Sequence, residues 1–172
     1  NLDNVTGICE ALLRIAQIEA GTRRSAFAIF DLATTLRDIT ELYEAVADDH
    51  GLKLRTDLPP HLPFWGAQAM FQQALANILD NAIKFSPPQG AISLSAWHIP
   101  APPSTEREQS GTIRIMVVDK GIGMNEADLA RASERFFRAE RARHTPGSGL
   151  GLSLVQAIVE LHGGTLRLSH NN

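Results

Sequence analysis

At 172 residues, with 44% hydrophobic and 20% charged side chains, the chain has the composition of an ordinary globular domain and the length to bury roughly 70% of its unfolded surface. A formal net charge of -3 gives no reason to expect nucleic acid as a partner, no run approaches the roughly 20 apolar residues of a membrane span, and no signal peptide is visible. The one cysteine, Cys9, excludes an internal disulfide, is compatible with a reducing compartment, and is expected to act as a small buried hydrophobe.

The chain starts without Met and is read as a piece of something longer. Residues 4 to 19 carry Val5, Ile8, Leu12, Leu13, Ile15, Ala16 and Ile18 at roughly helical spacing, with Gly21 as a stop. One helix cannot bury such a stripe alone, so a partner helix, as in a dimer, is implied. Ala26 to Asp31 is predicted as a short strand and Leu32 to Asp49 as a helix with Leu36, Ile39, Leu42, Tyr43 and Val46 on one face. Leu52 to Thr56 alternates as a strand, and Leu58 to Pro63 reads as a loop. A helix over about 67 to 85 is ended by Pro87, Pro88 and Gly90. Ala91 to Ile99 and Thr112 to Val118 are predicted strands around a polar, Pro-rich hairpin loop. Residues 120 to 148 form a long charged stretch with one short helix near Glu126 to Ser133, and loops that long are usually functional. Gly149 to Leu161 is predicted as a helix and Thr165 to Ser169 as a strand. The order implies an α/β two-layer sandwich, a mixed sheet of about five strands with three helices on one face.

Chemistry concentrates in four places. An α-helix advances about 100° per residue, so with Asn77 at zero, Asn81 falls near 40° and Lys84 near -20°. Phe71, Leu75, Ile78, Leu79, Ala82 and Ile83 fall between about 100° and 240°, toward the sheet. Asn is a poor helix former, so two of them one turn apart carry a propensity cost that a solvated face would avoid. A carboxamide oxygen is a neutral hard ligand suited to Mg2+, the role given to Asn81, while Lys84 can set a point charge near a phosphate. Asp119 ends an apolar strand; it is either a turn former or an acceptor for an adenine amino group, with Gly121 and Gly123 letting the backbone approach a ring. Gly147, Ser148, Gly149, Leu150, Gly151 and Leu152 run into a helix, where exposed amides and the helix dipole favour phosphate. No Gly-Lys-Ser/Thr follows, so this is not a P-loop, and no strand leads directly into it as in a dinucleotide fold. Arg135, Phe136, Phe137 and Arg138 sit in the long loop, where aromatics can anchor a lid and an Arg can reach a terminal phosphate; Arg141, Arg143 and His144 read as solvated charge.

In this order and spacing, the segments make the chain resemble the ATP-binding catalytic domain of sensor histidine kinases, a GHKL-type (Bergerat) fold. Asn77 to Phe85 resembles the N box, Asp119 to Gly123 the G1 box, Arg135 to Arg138 the F box, and Gly147 to Leu152 the G2 box. The likeness spans about residues 26 to 169, and residues 1 to 21 are similar to the end of the second helix of the dimerisation and phosphoacceptor domain. The resemblance implies domains 1–21 and 22–172, ATP and Mg2+ as ligands, Asn81 as metal ligand, Asn77 near the phosphates, Asp119 reading adenine, Phe85 lining the base pocket, and residues 120 to 148 as the ATP lid. It implies catalytic roles for Asn77, Asn81, Lys84 and Arg138, with Phe137 among the nucleotide-binding residues. The implied reaction is γ-phosphoryl transfer to a histidine, then to an aspartate on a response-regulator receiver domain, in a homodimeric parent. The expected location is cytoplasmic, with upstream segments anchoring the parent in the inner membrane.

Two departures from the family pattern stand out. None of His50, His61, His98, His144, His162 and His170 is followed by an acidic residue, so the phosphoacceptor is expected upstream of Asn1; the last edge strand is expected to be missing. A gyrase- or Hsp90-like ATPase carries a Glu one turn before the metal-binding Asn, and Asn77 stands there instead. A Ser kinase of the anti-sigma type has no need of the helix at 4 to 19, and a degenerate binding module would not be expected to keep four intact boxes.

Overall fold

The computed structural model describes residues 9, 12, 13, 15, 16, 27–102, 111–138 and 149–170. Strands are β1 (Ala28–Asp31), β2 (Lys53–Asp57), β3 (Pro63–Gly66), β4 (Ala91–Ile99) and β5 (Thr112–Val118). Helices are α1 (Leu32–Asp49), α2 (Gln68–Phe85), α3 (Glu126–Arg131) and α4 (Gly151–Leu161).

One carboxylate starts α1 and organises the loop beyond it. Asp31 Oδ1 accepts the N–H groups of Ala33 at 3.1 Å and Leu62 at 2.9 Å. Its Oδ2 accepts the Thr34 hydroxyl at 3.1 Å and lies 3.0 Å from His61 Nδ1. Arg37 Nη2 donates to the carbonyls of Pro59 at 2.8 Å and Pro60 at 2.7 Å. The loop expected from Leu58 to Pro63 is thereby pinned, and it delivers a strand that the sequence reading missed. Strand β3 pairs antiparallel with β1, Ile29 opposite Trp65 and Phe30 opposite Phe64. Its Pro63 is tolerated because β3 has a neighbour on one side only among the described strands.

The other three strands run β2-β4-β5, parallel between β2 and β4 and antiparallel between β4 and β5. This is the expected α/β sandwich with a mixed sheet; among the described residues that sheet holds three strands, and two more form the separate β1–β3 ribbon. Leu36 of α1, Leu75, Leu79 and Ile83 of α2, and Ile92 and Leu94 of β4 form the core against the sheet. A second core lies on the other flank of α2, where Met70 and Ala74 meet Leu150, Leu154, Val155 and Ile158. Helix α2 therefore has two buried flanks.

Two expectations are corrected. Thr165 to Ser169 alternates in burial as a strand should, with Leu166 packed on the second core, but makes no ladder among the described residues. Alternation satisfies the side chains; a strand also needs a free edge within reach, which sequence does not supply. Cys9 is exposed rather than buried. Helical spacing places it within about 40° of Leu13 and Ala16, both exposed, whereas Ile15 turns inward and is 1% exposed. Among the described residues no helix is long and apolar enough to cross a membrane.

The Asp31 carboxyl is held below the usual carboxylate range, chiefly by the Leu62 N–H and then by His61. A folded pKa below the unfolded one means the stabilisation is complete above roughly pH 3.9 and is lost as pH falls from there through the folded value. Asp31→Ala is expected to lower the melting temperature by several degrees at pH 7. The gap from the parent should shrink as calorimetric scans move below about pH 4; a pH-independent gap would contradict this account.

Candidate functional site

The polar stripe of α2 is not a solvated face. On the helical wheel, Met70 and Ala74 fall within about 60° of Asn77, on the same side as Asn81 and Lys84. Met70 and Ala74 are buried in the second core, against α4. Asn77, Asn81 and Lys84 continue that side toward the C-terminal end of α2, where α4 begins, and are half-buried. The two helices run antiparallel, and a Cβ built on Gly151, the first residue of α4, would stand 3.6 Å from Asn81 Nδ2. Leu150 precedes it, 1% exposed, and its own side chain makes no cap hydrogen bond. The first-turn amides of α4 therefore begin beside the Asn81 carboxamide with no side chain at position 151 between them. Leu152 is half-buried in that first turn.

Two cations, Lys84 and Arg138, meet at this end, with the Asp80 carboxylate within their reach. Burial first, and then the Arg138 guanidinium, hold the Lys84 ammonium below the ordinary lysine range, while Asp80 works the other way. Lys84 Nζ also lies 5.3 Å from the centre of the Phe85 ring. Asp80 of α2 sets its charge near Tyr43 of α1; burial foremost, then that charge, pushes the phenol up to about 12. Sequence reading placed Tyr43 on one face of α1 but missed its electrostatic link to Asp80 of α2.

Asp119 folds its own turn. Its Oδ1 accepts the Gly121 N–H at 2.7 Å, and the Phe85 carbonyl accepts the Ile122 N–H at 3.1 Å. A Cβ at Gly121 would lie 2.6 Å from Asp119 Oδ1 and 2.8 Å from the Phe85 oxygen, so only glycine fits. Gly123 lies further out and exposed. Ser86, next to Phe85, keeps a buried hydroxyl with no hydrogen-bond partner among the described residues.

The long loop docks at the other glycine segment. Phe136 donates its N–H to the Gly149 carbonyl at 3.0 Å and holds a left-handed φ of 62°. Gly149 has φ 73°, and a Cβ there would lie 2.8 Å from the Phe136 carbonyl carbon. Phe137 is half-buried under the Arg131 guanidinium, 4.7 Å from its ring centre. Gly147, Ser148, Arg141, Arg143 and His144 lie outside the described residues. The structure thus brings Asn77, Asn81, Lys84, Phe85, Arg138 and the Gly149–Leu152 segment to one end of α2, with Asp119 and Gly121 joined through Phe85. A cavity of about 250 Å³ between α3 and α4, lined by Leu129, Ala130, Ser133, Gln156, Leu166 and Leu168, includes none of these residues. Among the described residues no group of three or more His, Cys, Asp or Glu side chains could hold a metal ion.

The family model for histidine kinase-, DNA gyrase B- and HSP90-like ATPases matches residues 66–172. The chain is 33% identical over 159 residues to the sensor-like histidine kinase SenX3 of Mycobacterium tuberculosis, covering 91% of this chain and 36% of that protein. It is 32% identical to the adaptive-response sensory kinase SasA of Synechocystis, covering 78% of this chain and 33% of that one. The chain therefore spans about a third of the length of the curated relatives it matches. In structure it is similar to a mycobacterial sensor histidine kinase, MprB, with a TM-score of 0.66, 27% identity and coverage of 82% and 83% of the two chains. It is similar also to full-length ShkA in complex with AMPPNP, with a TM-score of 0.71, 25% identity and coverage of 94% of this chain and 32% of that one. On the family match and these likenesses, the chain belongs to the histidine kinase-, DNA gyrase B- and HSP90-like ATPase family and is a catalytic domain of the sensor histidine kinase type.

Proposed function

We propose that this domain binds Mg-ATP and donates the γ-phosphoryl group to a histidine Nε2 on its own dimerisation domain, for relay to an aspartate of a response-regulator receiver domain. The observation that carries the reading is the meeting of Asn81 with the glycine start of α4, with Lys84 and Arg138 at the same end. A phosphate tail needs both amide donors and cations, and this end of α2 supplies them. A structural neighbour of the family holds AMPPNP.

The residues fit the ligand. Asn81 offers a neutral hard oxygen for Mg2+, which keeps its remaining places for water and phosphate oxygens and neutralises charge on the transferring group. Asn77 stands one turn earlier on the same side, near the phosphates. Asp119 accepts from the adenine amino group; Gly121, Gly123 and Phe85 shape the base pocket, and the orphan hydroxyl of Ser86 borders it. Lys84 and Arg138 oppose the charge of the terminal phosphate, Phe137 anchors the lid over residues 120–148, and the segment from Gly147 through Ser148, Gly149, Leu150, Gly151 and Leu152 cradles the phosphates. Catalysis is then positioning and charge neutralisation. Asn77 cannot take a proton from water at neutral pH, which disfavours hydrolysis as the main outcome.

We assign residues 1–21 to the end of the second dimerisation helix and 22–172 to the catalytic domain. Ile15 rests on the second core, leaving Cys9, Leu13 and Ala16 outward for a partner helix of a homodimer. The supply of ATP places the domain in the cytoplasm.

Calorimetric titration with AMPPNP tests the reading. Asn81→Ala is expected to abolish the Mg2+-dependent part of binding. Asp119→Ala should weaken adenine nucleotides by roughly 10- to 100-fold, the loss expected for a hydrogen bond to a charged group, and erase the preference over GTP. Unchanged affinity in both would sink the site assignment. Gly149→Ala forces a side chain into the Phe136 backbone at a left-handed φ, which costs about 1–3 kcal/mol. Urea denaturation should show that loss, with faster amide exchange at Phe136.

A further inference from the structure

At the far end of the same helix pair, His162 follows the last residue of α4 and meets the residue just before α2. The Ala67 N–H donates to His162 Nε2 at 3.0 Å, and His162 Nδ1 lies 2.7 Å from the Ile158 carbonyl. An N–H can only donate and a carbonyl can only accept, so Nδ1 carries the proton and the ring is neutral. Ala67 has no side chain able to cap α2, and its N–H is one of the four that a helix start leaves unpaired; His162 satisfies it from another element.

The ring has little room to move. It stacks on Phe27 at 4.6 Å with an interplanar angle of 15°, and meets Phe71 edge-on at 4.6 Å. A Cβ at Gly66 would lie 2.7 Å from His162 Cδ2, so the glycine is what seats it. The packing of Met70, Ala74 and Ile78 on Leu154, Val155 and Ile158 is apolar and non-directional, whereas the bond from Ala67 to His162 is directional. A helix transmits axial displacement, and Ala67 to Asn81 is about 21 Å along α2.

We propose that His162 is a positioning residue. By tying the end of α4 to the start of α2, it fixes the axial register between them, and so where the Gly151 end of α4 stands against Asn81. The consequence for nucleotide rests on the proposed phosphate role of that end; the register itself does not. The groups facing the ring are Phe27, Phe64, Phe71, the Ala67 N–H and the Ile158 carbonyl. Burial keeps its pKa below the ordinary histidine value, against the pull of the Ile158 carbonyl, with no charged side chain contributing. Protonation of Nε2 removes the acceptor for Ala67.

Two variants separate the bond from the packing. His162→Phe keeps the stacked ring and removes the acceptor; His162→Gln keeps an acceptor and removes the titration. Amide exchange at residues 151–153, read without nucleotide, should quicken in the Phe variant and return toward the parent rate in the Gln variant. Mg-AMPPNP affinity should fall about tenfold in the Phe variant and recover in the Gln variant. The parent should lose affinity as pH drops below the ordinary histidine range, and the Gln variant should lose less. Should the Phe variant fail to fold, this pH comparison of parent and Gln variant decides. Parent-like exchange and affinity in His162→Phe, or identical pH profiles, would overturn the inference. A parent that binds no nucleotide would refute the site reading, and exchange at 151–153 would still decide the register.

Discussion

The packing of α4 along α2 is the constraint on which the site depends. Helix α2 buries one flank on the sheet through Leu75, Leu79 and Ile83 and another on α4 through Met70 and Ala74. Buried amides must find partners, so carboxamides are tolerable on such a flank only where the covering helix ends. Helix α4 starts at Gly151, beside Asn81, and the stripe changes from Met70 and Ala74 to Asn77, Asn81 and Lys84 as that point is reached. The polar patch is therefore half-buried by design of the packing: sheltered enough to strengthen electrostatic contacts, open enough to be reached.

Around it, backbone does what side chains cannot. The Gly121 turn closes on the Phe85 carbonyl and the Asp119 carboxylate, and the Phe136 turn closes on Gly149. Each contact fails if a Cβ is added, by the distances to Asp119 Oδ1 and to the Phe136 backbone. The end of α2 is thereby held to the turn after β5, and the loop after α3 to the segment before α4, each by a main-chain bond that fixes geometry without filling space. Lys84 pays for its place there, since burial and Arg138 both disfavour its charge. An anionic ligand would reverse that balance.

Local pattern made most of the fold legible. Helix α1 and strands β4 and β5 fall where their periodicities put them, and α2 starts one residue later than expected. These are long, strongly periodic segments with clear stops at Gly51, Pro87 and Gly111. Strand β3 escaped because it is four residues opened by Pro63 and closed by Gly66, and its partner β1 lies far back in the chain. Thr165 to Ser169 has the right alternation and no ladder, because pairing is a property of the neighbour. The candidate site residues could be named from sequence, Asn77 and Asn81 by their propensity cost and the glycines by their spacing. That the stripe faces α4 rather than solvent could not, since α4 lies some 70 residues on. His162 carried no local signal either, as its partner Ala67 is 95 residues away.

The central claim is that a nucleotide sits between the end of α2 and the start of α4. The most direct measurement is a two-dimensional amide NMR titration of the chain with Mg2+ and AMPPNP. The account predicts shifts concentrated at Asn77 to Phe85, Asp119 to Gly123 and Gly149 to Leu152, with the β1–β3 ribbon unmoved. Shifts confined to the ribbon or to the cavity between α3 and α4, or none at saturating nucleotide, would contradict it.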